Sequence, residues 1–192
     1  PVVRKNLHMI AYAFHRLMLA DLEFVDNKVD GPKIFFPKAN ATLQDFRDFC
    51  LFFNGAPKIR ELVDYFITAH WQLAQAYKNA AVKYQNLTWA YAAEDVLDQA
   101  IRAVESSSVK EGQWIDYVSI RTLVDRFRHL SLTLVDFRDL LGANRVLGKS
   151  LALFFKFAPR SKIISAEADF MVRAANKIGR ELLWSGEVKS AQ

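Results

Sequence analysis

The chain has 192 residues, of which 52% are hydrophobic and 13% aromatic, and its formal net charge is +5. This length is sufficient for one domain with a substantial core, and a single cysteine, Cys50, excludes an intrachain disulfide framework. No run reaches the ~18 apolar residues that a membrane-spanning helix needs, and the first residues lack a signal-peptide pattern. We therefore expect an intracellular, non-secreted protein with a single helical domain over residues 1–192.

Turn-forming residues are scarce, with 7 Gly and 5 Pro in the whole chain. This scarcity argues against many short strands and favours a few long helices. Hydrophobic periodicity then predicts an all-α fold, a compact bundle of about seven or eight helices, in which two helical hairpins are related. The predicted helices lie at about 4–25, 42–53, 57–85, 88–107, 111–130, 133–141, 145–157 and 165–184.

Local start signals set the beginnings of these helices. Thr42 and Thr133 each precede an Asp in capping-box position, and Asn86 or Thr88 is a cap for the helix that follows. Ser165 is the predicted cap of the last helix. The connection at 26–41 contains two prolines, which favour an extended backbone between them.

Two short sequence motifs occur twice in the same order. The segment TLQDFRD at 42–48 returns as TLVDFRD at 133–139, and a Leu-Phe-Phe phrase follows each copy. Internal repetition of this kind predicts duplicated helical units near 42–66 and 133–170. The spacer is longer in the second copy, so independent reuse of helix-start residues is the alternative.

The positive charge is concentrated near the C-terminus. Residues 142–192 contain nine Lys or Arg and four acids, whereas residues 1–141 contain 17 of each and balance to zero. On one helix, Arg145, Lys149 and Lys156 fall with Arg160 within about 60° of arc. Such a line of cations can neutralise successive phosphates, lie on an anionic membrane, or pair with acids from elsewhere in the fold.

We predict phosphate contacts at two sets of residues. The first set is Arg145, Lys149, Lys156, Arg160 and Lys162, and the second is Arg173, Lys177 and Arg180. The aromatic excess also predicts contacts with a partner or with copies of the same chain. The residues proposed for these contacts are Phe52, Phe53, Phe154 and Phe155.

Other constellations give little support for catalysis. Residues 143–150 match a relaxed phosphate-loop pattern but lack the parallel sheet that such a loop leaves. The four histidines have no partner at metal-ligand spacing, so we predict no metal site and no cofactor. Glu94, Asp95 and Asp98 form a tight acidic cluster that binds a cation, acts as an acid/base pair, or pairs with basic neighbours.

One short segment resembles a known signature. Residues 91–97, YAAEDVL, are similar to the aromatic-Ala-Ala-aromatic-Asp signature of flexuous filamentous plant-virus coat proteins. Ala90 stands where that signature has a basic residue, and Glu94 stands where it has a second aromatic residue. The resemblance covers seven residues of 192 and does not assign the chain to that family.

These patterns together favour a non-enzymatic, self-assembling structural protein of nucleocapsid or coat type. Its expected partners are nucleic acid, as RNA or DNA, and further copies of itself. A helical protein–protein interaction module or subunit of a larger complex is the alternative. A helical enzyme or lipid-binding bundle is the third hypothesis.

Overall fold

A computed structural model describes residues 2–25, 30–52, 60–108, 117–157 and 165–186. These residues form seven α-helices, which confirms the predicted all-α class. The helices are α1 Val2–Glu23, α2 Gly31–Phe52, α3 Arg60–Tyr84, α4 Leu87–Ser108, α5 Tyr117–Asp136, α6 Leu140–Phe157 and α7 Ser165–Trp184.

The helices pack as three consecutive hairpins followed by a last helix. The hairpins are α1–α2, α3–α4 and α5–α6, and each odd-numbered helix also contacts the next odd-numbered one. One layer therefore contains α1, α3, α5 and α7, and the other contains α2, α4 and α6. The core between the layers is rich in large apolar side chains. The largest fully buried ones include Met18, Phe36, Phe46, Ile67, Leu73, Leu97, Leu123, Phe127, Leu134 and Ile178.

Neighbouring helices within a layer run in the same direction. The side chain of Tyr65 on α3 lies beside His8 on α1, and farther along α3 Gln72 bonds His15. Both pairs are separated by 57 residues, which is the register of two parallel helices. This arrangement gives each layer an outer surface composed of parallel helix faces.

Helix α2 departs most from the sequence prediction, because it begins well before Thr42 and includes Pro37. Pro32 lies in the first turn, where a missing backbone N–H costs little. Phe36 and Ala39 are fully buried on the core side, and this burial offsets the intrahelical hydrogen bond that Pro37 cannot make. The predicted extended segment and the predicted cap at Thr42 are therefore wrong.

The junction between α5 and α6 also differs from the prediction. Thr133 lies inside α5, where its hydroxyl donates to the His129 carbonyl at 3.1 Å, so it is not a helix cap. The chain turns at Arg138, whose φ is 64°, and Asp139 caps α6 by accepting from the Gly142 amide at 3.0 Å. A Cβ at Gly142 would lie 2.0 Å from Asp139 Oδ2, so any larger residue there would require the capping carboxylate to move. The break predicted at 142–144 is wrong, since those residues are helical.

The echoed segments occupy different structural positions. Residues 42–48 lie inside α2, whereas residues 133–139 cross the end of α5 and the following turn. The shared residues therefore do not mark the start of two equivalent helices.

Asn86 has the capping role that its sequence position predicts. Its Oδ1 accepts from the Thr88 amide at 3.0 Å, one residue beyond the start of α4. This cap closes the tight turn between α3 and α4, in which Gln85 has a φ of 48°. The turn brings α3 and α4 together as a hairpin. This hairpin and α5–α6 are the two most extensively packed helix pairs of the fold.

Candidate nucleic-acid interface

Three of the predicted phosphate-contacting cations project from α6 toward carboxylates on α4. Their N–O distances are between 2.6 and 2.7 Å. We call this set the α4–α6 ladder. It consists of the pairs Arg145–Glu94, Lys149–Glu94, Lys149–Asp98 and Lys156–Glu105.

The register of the ladder follows from helix periodicity. Arg145, Lys149 and Lys156 each contact a carboxylate that lies 51 residues earlier in the chain. A constant separation means that α4 and α6 run in the same direction and present matching side-chain spacings. The acidic cluster on α4 and the basic stripe on α6 are therefore complementary halves of one contact.

Glu94 is the buried centre of the ladder, with 7% of its side chain exposed. Burial acts to raise the pKa of the Glu94 carboxyl, but hydrogen bonds from Arg145 and Lys149 outweigh it and hold this pKa below its ordinary value. Burial acts to lower the pKa of Lys149, but the hydrogen bonds that its ammonium donates to Asp98 and Glu94 outweigh this effect and raise the pKa. Glu94, Arg145 and Lys149 are therefore charged at neutral pH, and each of them contacts a group of opposite charge.

The groove beside the ladder does not favour an anion. A depression of about 410 Å³ there is lined by Tyr91, three carboxylates and two cations. A phosphate entering it must displace a carboxylate from Arg145 or Lys149. The geometry thus matches the third alternative given above for the line of cations on this helix, which is that they pair with acids from elsewhere in the fold.

The remaining predicted residues divide by position. Arg160, Lys162 and Phe53 lie outside the described residues, as does the side chain of Phe52. Phe154 is buried in the core and is not available to a partner, because α6 turns that side inward. Phe155 is on the outer side of α6, with 69% of its surface exposed.

The second predicted set lies on α7. Arg173 and Arg180 are exposed, and Lys177 lies 3.5 Å from Asp136 in a partly exposed pair. An exposed pair at this distance contributes little to stability. These cations therefore project from the outer layer with only weak compensation at Lys177.

Helix α5 lies between α3 and α7, and it adds basic residues that the sequence analysis did not select. We call the combined surface the α3–α5–α7 face. Among its described side chains, eight Lys or Arg residues accompany four carboxylates. The cations are Lys78, Lys83, Arg121, Arg126, Arg128, Arg173, Lys177 and Arg180, and the carboxylates are Asp125, Asp136, Asp169 and Glu181.

Aromatic rings help to position two of these guanidinium groups. Arg126 lies over the ring of Trp71 on α3, 4.6 Å from its centroid. Arg128 lies 5.3 Å from the centroid of Phe170 on α7. These cation–π contacts hold the charged groups at the junctions of α5 with both neighbours.

The charge run at 126–129, Arg-Phe-Arg-His, was the available sequence signal for this face. The net charge hides this run, because residues 1–141 balance to zero in total. A net count over a long segment does not show that the compensating acids on α4 face α6 and not α5. Only the packing of the helices shows that these acids lie beside the cations of α6 and not beside those of α5.

Other chemistry has little support in this part of the chain. No group of three or more His, Cys, Asp or Glu side chains within the described ranges is arranged to hold a metal ion. Burial raises the pKa of the Cys50 thiol to about 12, so this cysteine is a poor nucleophile. None of the described helices has an apolar stretch long enough to cross a bilayer.

Comparisons with known proteins identify no relative. No family model, curated protein or solved structure matches the chain.

Proposed function

We propose that this is a non-enzymatic structural protein that contacts nucleic-acid phosphates and assembles with copies of itself. The observation that supports phosphate contact is the excess of cations over carboxylates among the described side chains of the α3–α5–α7 face. The cations of the α4–α6 ladder differ from those of this face, since each ladder cation has a carboxylate partner within 2.7 Å.

Contact through this face would read the nucleic-acid backbone. Lys and Arg side chains that neutralise phosphates release condensed counterions, which makes binding strongly dependent on salt and nearly independent of sequence. The α4–α6 ladder contributes indirectly, because it stabilises the second layer against which α3 and α5 pack.

Self-assembly is supported by apolar side chains exposed on two helices. Three apolar residues recur every seven positions and are 41 to 57% exposed: Ile10 and Leu17 on α1, and Phe24 in the turn after it. Trp184 at the end of α7 is 79% exposed. Exposed apolar groups at such regular spacing are typical of surfaces that bind another protein. The same observation favours the second candidate, a helical module that binds a different protein.

Fluorescence anisotropy with a labelled random-sequence strand tests phosphate contact. The purified protein is titrated into single-stranded and duplex probes at ~50 and ~200 mM salt. We expect binding at the lower salt that weakens at least tenfold at the higher salt, with little preference among sequences. Absence of binding at ~50 mM salt would contradict the phosphate-contact proposal.

Light scattering over a range of protein concentrations tests assembly without nucleic acid. We expect a mass that increases with concentration, and Leu17→Glu should reduce this increase. A monomeric mass at every concentration would contradict self-assembly and favour a module that binds a different protein.

A further inference from the structure

Three basic side chains, Lys78, Arg126 and His129, lie together at the junction of α3 and α5, and Arg128, which also reaches Phe170 on α7, contacts His129. Lys78 comes from α3, and Arg126, Arg128 and His129 come from α5. Gln75 on α3 accepts a hydrogen bond from Arg126 Nη1 at 2.8 Å, which fixes the guanidinium beside α3. The two helices run in parallel, so Lys78 and His129 lie one turn beyond this contact.

Arg128 and His129 lie beside the same carboxylate, which holds Arg128. Arg128 Nη2 donates to Asp125 Oδ1 at 2.6 Å, and His129 Nε2 lies 3.5 Å from Asp125 Oδ2. Arg128 Nη2 is also 2.9 Å from His129 Nε2, which therefore accepts the hydrogen bond and is unprotonated. The imidazole thus has a neutral form that is stabilised by a neighbouring cation.

The cluster has more positive charge than its partners compensate. Lys78, Arg126 and Arg128 are three cationic groups, and among the described residues Asp125 is the carboxylate that interacts with Lys78, Arg128 and His129. Burial lowers the pKa of Lys78, and the charge of Arg126 lowers it further. Burial also lowers the pKa of His129. Asp125 acts to raise this pKa, but the positive charges of Arg128, Lys78 and Arg126 act with burial and the net effect is a decrease.

One donor in the cluster has no hydrogen-bond partner. Arg126 Nε is inaccessible to solvent and makes no hydrogen bond, although the same guanidinium donates to Gln75 through Nη1. A buried donor without a partner is costly, so the hydrogen bonds of this guanidinium are incompletely satisfied by the protein. In the α4–α6 ladder, by contrast, the carboxylates accept hydrogen bonds from each of the cations.

We propose that Lys78, Arg126, Arg128 and His129 form a phosphate-binding site, the anchor point of the α3–α5–α7 face. The inference depends on the proposed function in that the phosphate belongs to a nucleic-acid backbone. A phosphate supplies the missing negative charge, and guanidinium and ammonium groups are the donors that phosphate oxygens prefer. Bound phosphate also favours the protonated form of His129, so binding strengthens as the pH falls.

The first experiment measures single-strand binding by three full-length variants at several salt concentrations. Lys78→Gln and Arg126→Gln each remove a cluster cation, and Arg16→Gln on α1 is the matched control with the same change in charge. We expect each cluster variant to weaken binding about threefold to tenfold and to reduce the salt slope by about 0.7, while the control matches the wild type. Thermal unfolding of each variant verifies that it is folded.

The second experiment follows the His129 ring by NMR as inorganic phosphate is added. We expect phosphate to raise the pKa of His129, and Lys78→Gln to reduce that increase. If the wild type binds the strand but both cluster variants bind equally well, the site is refuted and the proposed function survives. If phosphate shifts His129 but no strand binds, the nucleic-acid function is refuted and the site is one for free phosphate. If neither ligand acts, both proposals are refuted.

Discussion

Replacing Glu94 with Gln removes the charge at the centre of the α4–α6 ladder while keeping nearly the same side-chain volume. Glu94 accepts from Arg145 at 3.0 and 2.7 Å and from Lys149 at 2.7 Å. Breaking a fully buried ion pair costs about 3–5 kcal/mol. Arg145 is 52% exposed and Lys149 is 30% exposed, so water recovers part of this cost. We therefore expect a loss of about 2–3 kcal/mol, which corresponds to a decrease in Tm of roughly 5–10 °C.

Urea unfolding followed by circular dichroism measures this loss. Asp95→Asn on the same helix is the matched control, because Asp95 is exposed and loses the same charge. Its free energy of unfolding should change by less than about 0.5 kcal/mol. A double-mutant cycle with Lys149→Met should give a coupling energy of about 1–2 kcal/mol. If Glu94→Gln is as mild as the control, or the cycle is additive, the ladder does not stabilise the fold and our reasoning is refuted.

Three further predictions address the cap, the buried histidine and the basic cluster. Asp139→Ala removes the α6 cap and should lower the free energy of unfolding by about 1 kcal/mol in urea, an effect that Asp139→Asn should largely avoid. Burial lowers the pKa of His70 to about 4, so the unfolded chain takes up this proton first as the pH falls. Wild-type stability should therefore decrease between pH 7 and pH 4 by about 3 kcal/mol more than that of His70→Gln, and equal slopes would contradict this. Lys78→Gln relieves burial and repulsion, so its Tm should equal or exceed that of the wild type, whereas a clear decrease would indicate a structural role.

The parts of the fold that could be predicted are those that depend on local sequence. Asn86 caps its helix because a side-chain oxygen can reach the next-but-one amide, whatever the rest of the chain does. Pro37 shows where local rules fail, since proline disfavours a helix interior but the adjacent Phe36 and Ala39 are buried. That burial is set by α1, α3 and α4, and no local pattern contains it.

The candidate interface shows the same division. The basic stripe on α6 was visible as a pattern of Arg145, Lys149 and Lys156, but its partners on α4 lie 51 residues away in sequence. Spacing alone could not distinguish a free basic surface from one half of an ion-pair ladder. Conversely, Arg126 and Arg128 were hidden by the neutral total of the first 141 residues. Their compensation depends on which helix each carboxylate faces.

The central claim is that phosphate contact occurs on the α3–α5–α7 face and not at the α4–α6 ladder. Strand binding at ~50 mM salt by two double variants that lose equal charge tests it most directly. We predict that Lys78→Gln with Arg173→Gln weakens binding more than tenfold. Arg145→Gln with Lys156→Gln should bind like the wild type at a temperature where it stays folded. Weakened binding by the ladder variant with normal binding by the face variant would contradict the account.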